Sequence, residues 1–227
     1  MKIAVFGATG RTGVPLCRQA LDRGHGVVAH TRSPDKLFTR LPDKTPTHSP
    51  DRFDGPTARD ALTVVEGDAY AGTGVRETVR GTDAIVSVLG QGEGSPGDLL
   101  TVAGGHVLEA METEDVSRYL TLVGAGVREE GESLSMGDRM MGVALKLLAR
   151  DVLEDASAHV EDIRERDLAW TVLRVPRLTE GDSIGSYRAG DIRLGFDAID
   201  RADVARCILD CLEEERFVGE LPKVGPA

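Results

Sequence analysis

Lysine is scarce in this chain, with five among 227 residues, at positions 2, 36, 44, 146 and 223. Acidic residues outnumber Lys plus Arg by 38 to 27, a formal net charge of −11, so nearly all positive charge is arginine. Such a surface repels nucleic acid and anionic membranes, and neither is expected as a partner. The composition matches that of salt-loving microbes, and equally that of an arginine-biased, GC-rich genome. Cysteine is scarce too. Cys17, Cys207 and Cys211 form no disulfide framework, no Cys/His cluster has zinc spacing, and no metal site is expected. Cys207 and Cys211 sit one helical turn apart and read as core. No apolar run reaches the roughly 18 residues that span a bilayer. An apolar strand begins at residue 3 with no basic segment before it, so no signal peptide is expected and the chain reads as cytoplasmic. Its length suits one α/β domain.

What is present starts at once. The run Ile3-Ala4-Val5-Phe6 leads into Gly7, Gly10 and Gly13, and a helical pattern follows. The order strand, glycine turn, helix is the physical recipe for holding a dinucleotide pyrophosphate. Gly7 suits a tight turn, Gly10 keeps side-chain bulk away from the phosphates, and Gly13 lets helix and strand pack closely. Amide N–H groups at the helix start, with the helix dipole behind them, face the anion.

Further apolar runs alternate with helical patterns, which implies βαβ units and a parallel sheet. Strands are predicted near 2–6, 26–31, 62–66, 84–89, 118–123 and 170–175. The first helix is predicted from about Arg11 to Arg23, with Gly24 closing it. A later helix is expected to begin at Ser95, with Asp98 completing a capping box, and Asp200 with Asp203 repeats that logic. Residues 40–58 carry four prolines and read as a surface loop. Residues 136–150 are apolar on nearly every side of a helix, which fits core packing, a pocket lining or a dimer contact. The stretches 127–150 and 176–198 are expected to be substrate-side elaborations, and the chain a monomer or homodimer.

Which dinucleotide is held depends on the end of strand two. There Val27-Val28-Ala29-His30-Thr31 runs into Arg32, with no carboxylate at the tip. A guanidinium in that place suits the 2′-phosphate of NADP(H), and Ser33 and Lys36 stand by to assist. The alternative is an ordinary exposed arginine. Asp68 follows strand three, where a carboxylate can accept from the adenine amino group. Leu89 and Gly90 end strand four, and the glycine-rich loop after them passes where phosphates and nicotinamide ribose would lie.

Together these residues resemble the atypical short-chain dehydrogenase/reductase superfamily, in the small single-domain branch of NmrA-like proteins, NADH-flavin reductases and biliverdin IXβ (flavin) reductases. The resemblance runs through GATGRTG at 7–13, Arg32, EGDA at 66–69, DAIVSVLG at 83–90 and GSPGDLL at 94–100. It continues through VGAG at 123–126, LAWTVLRVPRLTEG at 168–181 and IDRADVA at 199–205. It implies a doubly wound Rossmann sheet of order 3-2-1-4-5-6 with helices on both faces. It also carries a coenzyme site over to Gly7, Thr9, Gly10, Arg11, Thr12, Gly13, Arg32, Asp68, Leu89, Gly90, Val123, Gly124 and Pro176.

The chemistry departs from the superfamily. Short-chain dehydrogenases usually pair a tyrosine with a lysine four residues on, the cation lowering the hydroxyl pKa. Here Tyr70 is followed at that spacing by Gly74, Tyr119 by Val123 and Tyr187 by Asp191. The serine common at the end of strand five is replaced by Gly124-Ala125-Gly126. The histidine that follows the proline after strand six in the flavin reductases is Arg177 here.

Alcohol–ketone interconversion through a tyrosinate is therefore not expected. Hydride transfer from NADPH to a flavin or other conjugated acceptor is, because the cofactor carries the reactive atom. Arg177 is the candidate catalytic residue, stabilising charge on the acceptor or holding an acidic group of the substrate. The alternative is an ion pair with Glu180 or Asp182. The rival function is an NADP-sensing regulator without turnover, of the NmrA-like type. An epimerase or dehydratase is disfavoured, since those need the tyrosine–lysine pair. His106 and His159 read as packing histidines. Glu154, Asp155, Glu161 and Asp162 read as a solvated helix face.

Overall fold

The computed structural model describes residues 1–41, 61–92, 94–128, 150–181, 185–195 and 197–227. Of the predicted loop at 40–58, Arg40 instead ends a helix and residues 42–58 lie outside the described residues, as do residues 136–149 of the apolar segment at 136–150. Six parallel strands stand where the apolar runs place them: β1 (Lys2–Phe6), β2 (Gly26–Thr31), β3 (Leu62–Glu66), β4 (Ala84–Ser87), β5 (Arg118–Gly124) and β6 (Ala169–Val175). Their order is β3-β2-β1-β4-β5-β6, as the resemblance implies, and β10 (Lys223–Pro226) and β8 (Tyr187–Gly190) extend the sheet beyond β6. β10 runs parallel to β6, whereas β8 pairs with β10 antiparallel. Within 176–198 the chain also supplies β7 (Arg177–Thr179), which pairs in parallel with β9 (Ala198–Asp200) as a separate two-stranded sheet.

Alternation along the strands sorts side chains to two cores. Ile3 and Val5 of β1, Val86 of β4 and Leu120 of β5 face α1 (Gly13–Asp22), α2 (Pro34–Arg40) and α6 (Arg201–Glu213). Ala4, Phe6, Ile85 and Tyr119 face α3 (Val75–Val79), α4 (Leu99–Thr113) and α5 (Arg150–Arg164). Leu16, Cys17 and Ala20 form the buried stripe of α1, and Cys207 and Cys211 that of α6, all without solvent exposure. Truncating a side chain such as the fully buried Leu108 to alanine costs about 2–5 kcal/mol through lost burial and a residual cavity.

Two predicted caps are corrected. α4 begins at Leu99, not at Ser95, and Asp98 occupies its N-cap without a side-chain cap bond. The Ser95 hydroxyl instead accepts from the N–H of Gly92, at 3.0 Å. Asp200 stands at the N-cap of α6, but its carboxylate accepts from the Thr179 hydroxyl, while Asp203 accepts from the N–H of Gly185. In both places the carboxylates serve contacts across the fold rather than their own helix.

Candidate functional site

The turn after β1 is built from main chain. Gly7 has φ of +81°, and a Cβ there would lie 2.9 Å from the Val88 carbonyl oxygen. Its own carbonyl accepts from the N–H of Gly10 at 2.8 Å. A Cβ on Gly13 would stand 2.1 Å from that same carbonyl, so the first turn of α1 rests directly on the strand end. A Cβ on Gly10 would meet only the Gly7 carbonyl, at 3.0 Å, with nothing else within 4 Å. The N–H groups of Arg11 and Thr12 find no acceptor among the described residues. Thr12 is buried at the N-cap of α1 and gives it no side-chain cap bond. Unpaired N–H groups at a helix start, beside a glycine with open space at its Cβ position, suit a dinucleotide pyrophosphate.

The neighbouring strand ends complete this edge. Thr9 accepts from Arg40 Nη1 through its carbonyl, at 2.9 Å, which fastens the turn to α2. Arg32 follows β2 with 78% of its side chain exposed, and its Nη1 lies 4.0 Å from Asp68 Oδ2. Asp68 follows β3, where its Oδ1 accepts from the N–H of Tyr70 at 2.9 Å and its own N–H donates to the Thr73 hydroxyl at 2.8 Å. Beneath this turn His30 contacts the Thr73 carbonyl through Nε2 at 2.9 Å. Burial holds the His30 imidazole below its ordinary pKa. A Cβ on Gly67 would overlap both groups, so the turn sits tightly on the ring.

On the other side of β1, Leu89 is half-buried and Gly90 exposed just past β4. Val123 is buried and Gly124 exposed at the end of β5, where the Ala125 N–H donates to the Val175 carbonyl at 2.8 Å. Pro176 is half-buried and Arg177, the first residue of β7, is exposed. Arg177 enters no ion pair among the described residues. Glu180 faces Arg11 at 3.2 Å and Arg201 at 4.0 Å instead, and Asp182 lies outside the described residues. Arg174 is buried, donating through Nε to the Leu221 carbonyl at 2.8 Å, which gives it a structural place in β6. The candidate residues thus gather along the carboxyl ends of β1, β2, β3, β4, β5 and β6, the edge where open α/β sheets bind ligands.

None of the three tyrosines is placed as a proton-transfer group with a lowered pKa. The Tyr70 hydroxyl donates to Asp98 at 3.0 Å, and that bond holds its pKa above the ordinary value. Tyr119 is fully buried against His159, and burial pushes its hydroxyl up to about 12. Tyr187, raised by burial and by its bond to Asp210, packs against α6. A tyrosinate base needs the opposite environment.

One functional feature is missing from the sequence reading. Asp155 is not part of a solvated face; it is 6% exposed and gathers four hydrogen bonds, one of them from Gln91 in the loop after β4. A signal existed. Asp155 shares its stripe of α5 with the buried Ala156, His159, Val160 and Ile163. Glu154 and Glu161 do face solvent, pairing with Arg150 and Arg164, while Asp162 is half-buried and accepts from Arg166. Among the described residues no group of three or more His, Cys, Asp or Glu is placed to hold a metal, and no helix is long and apolar enough to cross a membrane.

A family model described as NAD(P)H-binding matches residues 7–215. The Bacillus subtilis protein YwnB is 25% identical over 231 residues, covering 97% of this chain and 96% of that protein. The structure of ChuY, an anaerobillin reductase from Escherichia coli, superposes with a TM-score of 0.74 at 20% identity, covering 99% of this chain and 96% of that one. A short-chain dehydrogenase/reductase from Veillonella parvula, solved in complex with NADP, gives a TM-score of 0.73 at 18% identity over 99% and 94% of the two chains.

Proposed function

The chain belongs to the NAD(P)H-binding family, and from that premise we propose that it is an NADPH-dependent reductase acting on a flavin or another small conjugated acceptor. The observation that carries the reading is the carboxyl edge of the sheet. A tight glycine turn from Gly7 to Gly13, with unpaired N–H groups at Arg11 and Thr12, lies beside a strand end that offers Arg32 and no acid. Gly7, Gly10 and Gly13, with the N–H groups of Arg11 and Thr12, would hold the pyrophosphate. Arg32 would take the 2′-phosphate, and its 4.0 Å separation from Asp68 leaves the guanidinium exposed for a charge-assisted contact. Asp68 stands at the adenine end, while Leu89, Gly90, Val123, Gly124 and Pro176 line the nicotinamide end.

When bound, the reduced nicotinamide supplies a hydride to the acceptor. The protein's part is to bind and orient. Arg177, exposed and outside any described ion pair, would hold an acidic group on the acceptor or stabilise charge that develops there. A conjugated acceptor can take its proton from water, which suits a chain with no tyrosine placed as a lowered-pKa proton donor. The name of ChuY, a reductase of the same fold, supports this class of activity. The missing tyrosine–lysine pair supports the second reading, an NADP sensor without turnover.

Incubating the chain with NADPH and FMN, FAD or a quinone separates the two. Loss of the near-ultraviolet absorbance of NADPH is expected for the reductase. Tight NADPH binding with no oxidation across that panel would establish the sensor.

A further inference from the structure

The amino end of α4 is answered by a carboxylate from another helix. Its own N-cap residue, Asp98, makes no side-chain cap bond, and the first turn carries no acidic residue. Asp155 of α5 fills that place. Its Oδ2 accepts from the N–H of Leu100 at 2.9 Å, and its Oδ1 accepts from the N–H of Thr101 at 2.9 Å and from the Thr101 hydroxyl at 2.7 Å. The two from backbone N–H groups satisfy first-turn donors that have no intrahelical acceptor. A fourth bond does something else. Gln91 donates through Nε2 to Asp155 Oδ2 at 2.8 Å and to the Gly97 carbonyl at 2.7 Å, so one amide closes the loop on itself and ties it to α5. The bond from Gln91 adds nothing to the helix.

We propose that Asp155 is a positioning residue which, through Gln91, sets the loop after β4 against α4 and so fixes the surface that the acceptor meets. The proposal rests on reading this crevice as the reductase site. Four donors converging on one buried carboxylate leave it few alternative arrangements, and charge-assisted bonds of this kind are the strong ones. The other ties among the described residues of this loop are local, between Gly92 and Ser95, or lie at its far end, from Tyr70 to Asp98. Gly90, Gly94 and Gly97 would each place a Cβ in open space, so packing does not set their positions. The Gln91 amide is the element that converts the fixed position of α5 into a fixed loop.

The test uses the full chain carrying Gln91→Ala, which removes the tie and leaves the three bonds to α4 intact. Without coenzyme, amide hydrogen exchange at Gly92 and Ser95, whose N–H groups are bonded within the loop, is expected to rise about tenfold, the worth of one charge-assisted bond, with no change at Leu100, Thr101 or Gly7–Gly13. NADPH affinity by calorimetry is expected to stay within about twofold, while FMN turnover shows a raised KM or a lowered kcat. Asp155→Asn, which keeps the shape but replaces an acceptor oxygen by a donor, is expected to loosen the same loop and also the first turn of α4. Unaltered exchange in both variants overturns the proposal. So does a loosened loop with both KM and kcat for FMN unchanged. Failure of the unmodified chain to bind NADPH would overturn the coenzyme reading instead, while the exchange comparison, made without coenzyme, still judges the tie.

Discussion

Two glycine-rich loops leave adjacent strands of the sheet, one after β1 and one after β4, and they are held in opposite ways. In the first, the glycines are steric requirements: a Cβ on Gly7 or Gly13 would run into main chain at 2.9 Å or 2.1 Å. In the second, Gly90, Gly94 and Gly97 meet nothing within 4 Å, and the loop is fastened by side chains, Gln91 to Asp155 and Asp98 to Tyr70. Backbone held against backbone gives a surface that no distant substitution easily moves. Backbone held by a carboxylate from another helix gives one that a single remote residue can shift. On the proposed reading, the first loop would meet the pyrophosphate and the second the acceptor.

The largest effect is expected from Gly13→Ala. Its Cβ would fall 2.1 Å from the Gly7 carbonyl, inside any tolerable contact. Overpacking of this kind costs about 1–3 kcal/mol or more, so the melting temperature falls and calorimetry finds no NADPH binding. A melting temperature equal to that of the unmodified chain would break the comparison at its stronger side.

Acid is expected to act on the second loop's support. Burial lowers the His159 pKa to about 4 from an ordinary 6.5, and its ring packs on Gly104 one turn along α5 from Asp155. The folded state therefore binds fewer protons than the unfolded state between those values. Stability is full above pH 6.5 and falls as pH drops toward 4, by on the order of 3 kcal/mol. Melting temperatures taken across that window check it. His159→Gln is expected to flatten the slope, and His30, also held low by burial, supplies a further share. An unchanged slope in His159→Gln would remove His159 from the account.

Arg32→Asp is expected to leave the fold unaltered, because that side chain is 78% exposed. It is expected to weaken NADPH by roughly 1.5–3 kcal/mol, the range for hydrogen bonds to charged groups, while NADH is spared. Unchanged discrimination between the two coenzymes would refute the role of Arg32. The smallest effect on stability belongs to Gly90→Ala, whose Cβ meets nothing. A change within about 0.5 kcal/mol is expected in the melting curve, with weaker NADPH binding as its only consequence. Destabilisation there would erase the contrast between the loops.

How much of this was legible follows the same division. The six parallel strands and the glycine turn could be read because their signals are local: short apolar runs, a 3.6-residue stripe on α1, and glycines spaced three residues apart. Arg32 and Asp68 were placed by their position at strand ends. The pairing of β8 with β10 was not read, since each strand has four residues and their partnership is made only across the fold. Ser95 and Asp98 have the spacing of a capping box, yet the cap comes from Asp155, 55 residues after Leu100. Nothing near Asp98 in sequence signals that.

The most direct test is calorimetry of the unmodified chain with NADPH, NADP, NADH and NAD. One coenzyme per chain, with the two phosphorylated forms binding tighter, is the expected result. No heat with any of the four would contradict the claim that the turn from Gly7 to Gly13 is a pyrophosphate cradle.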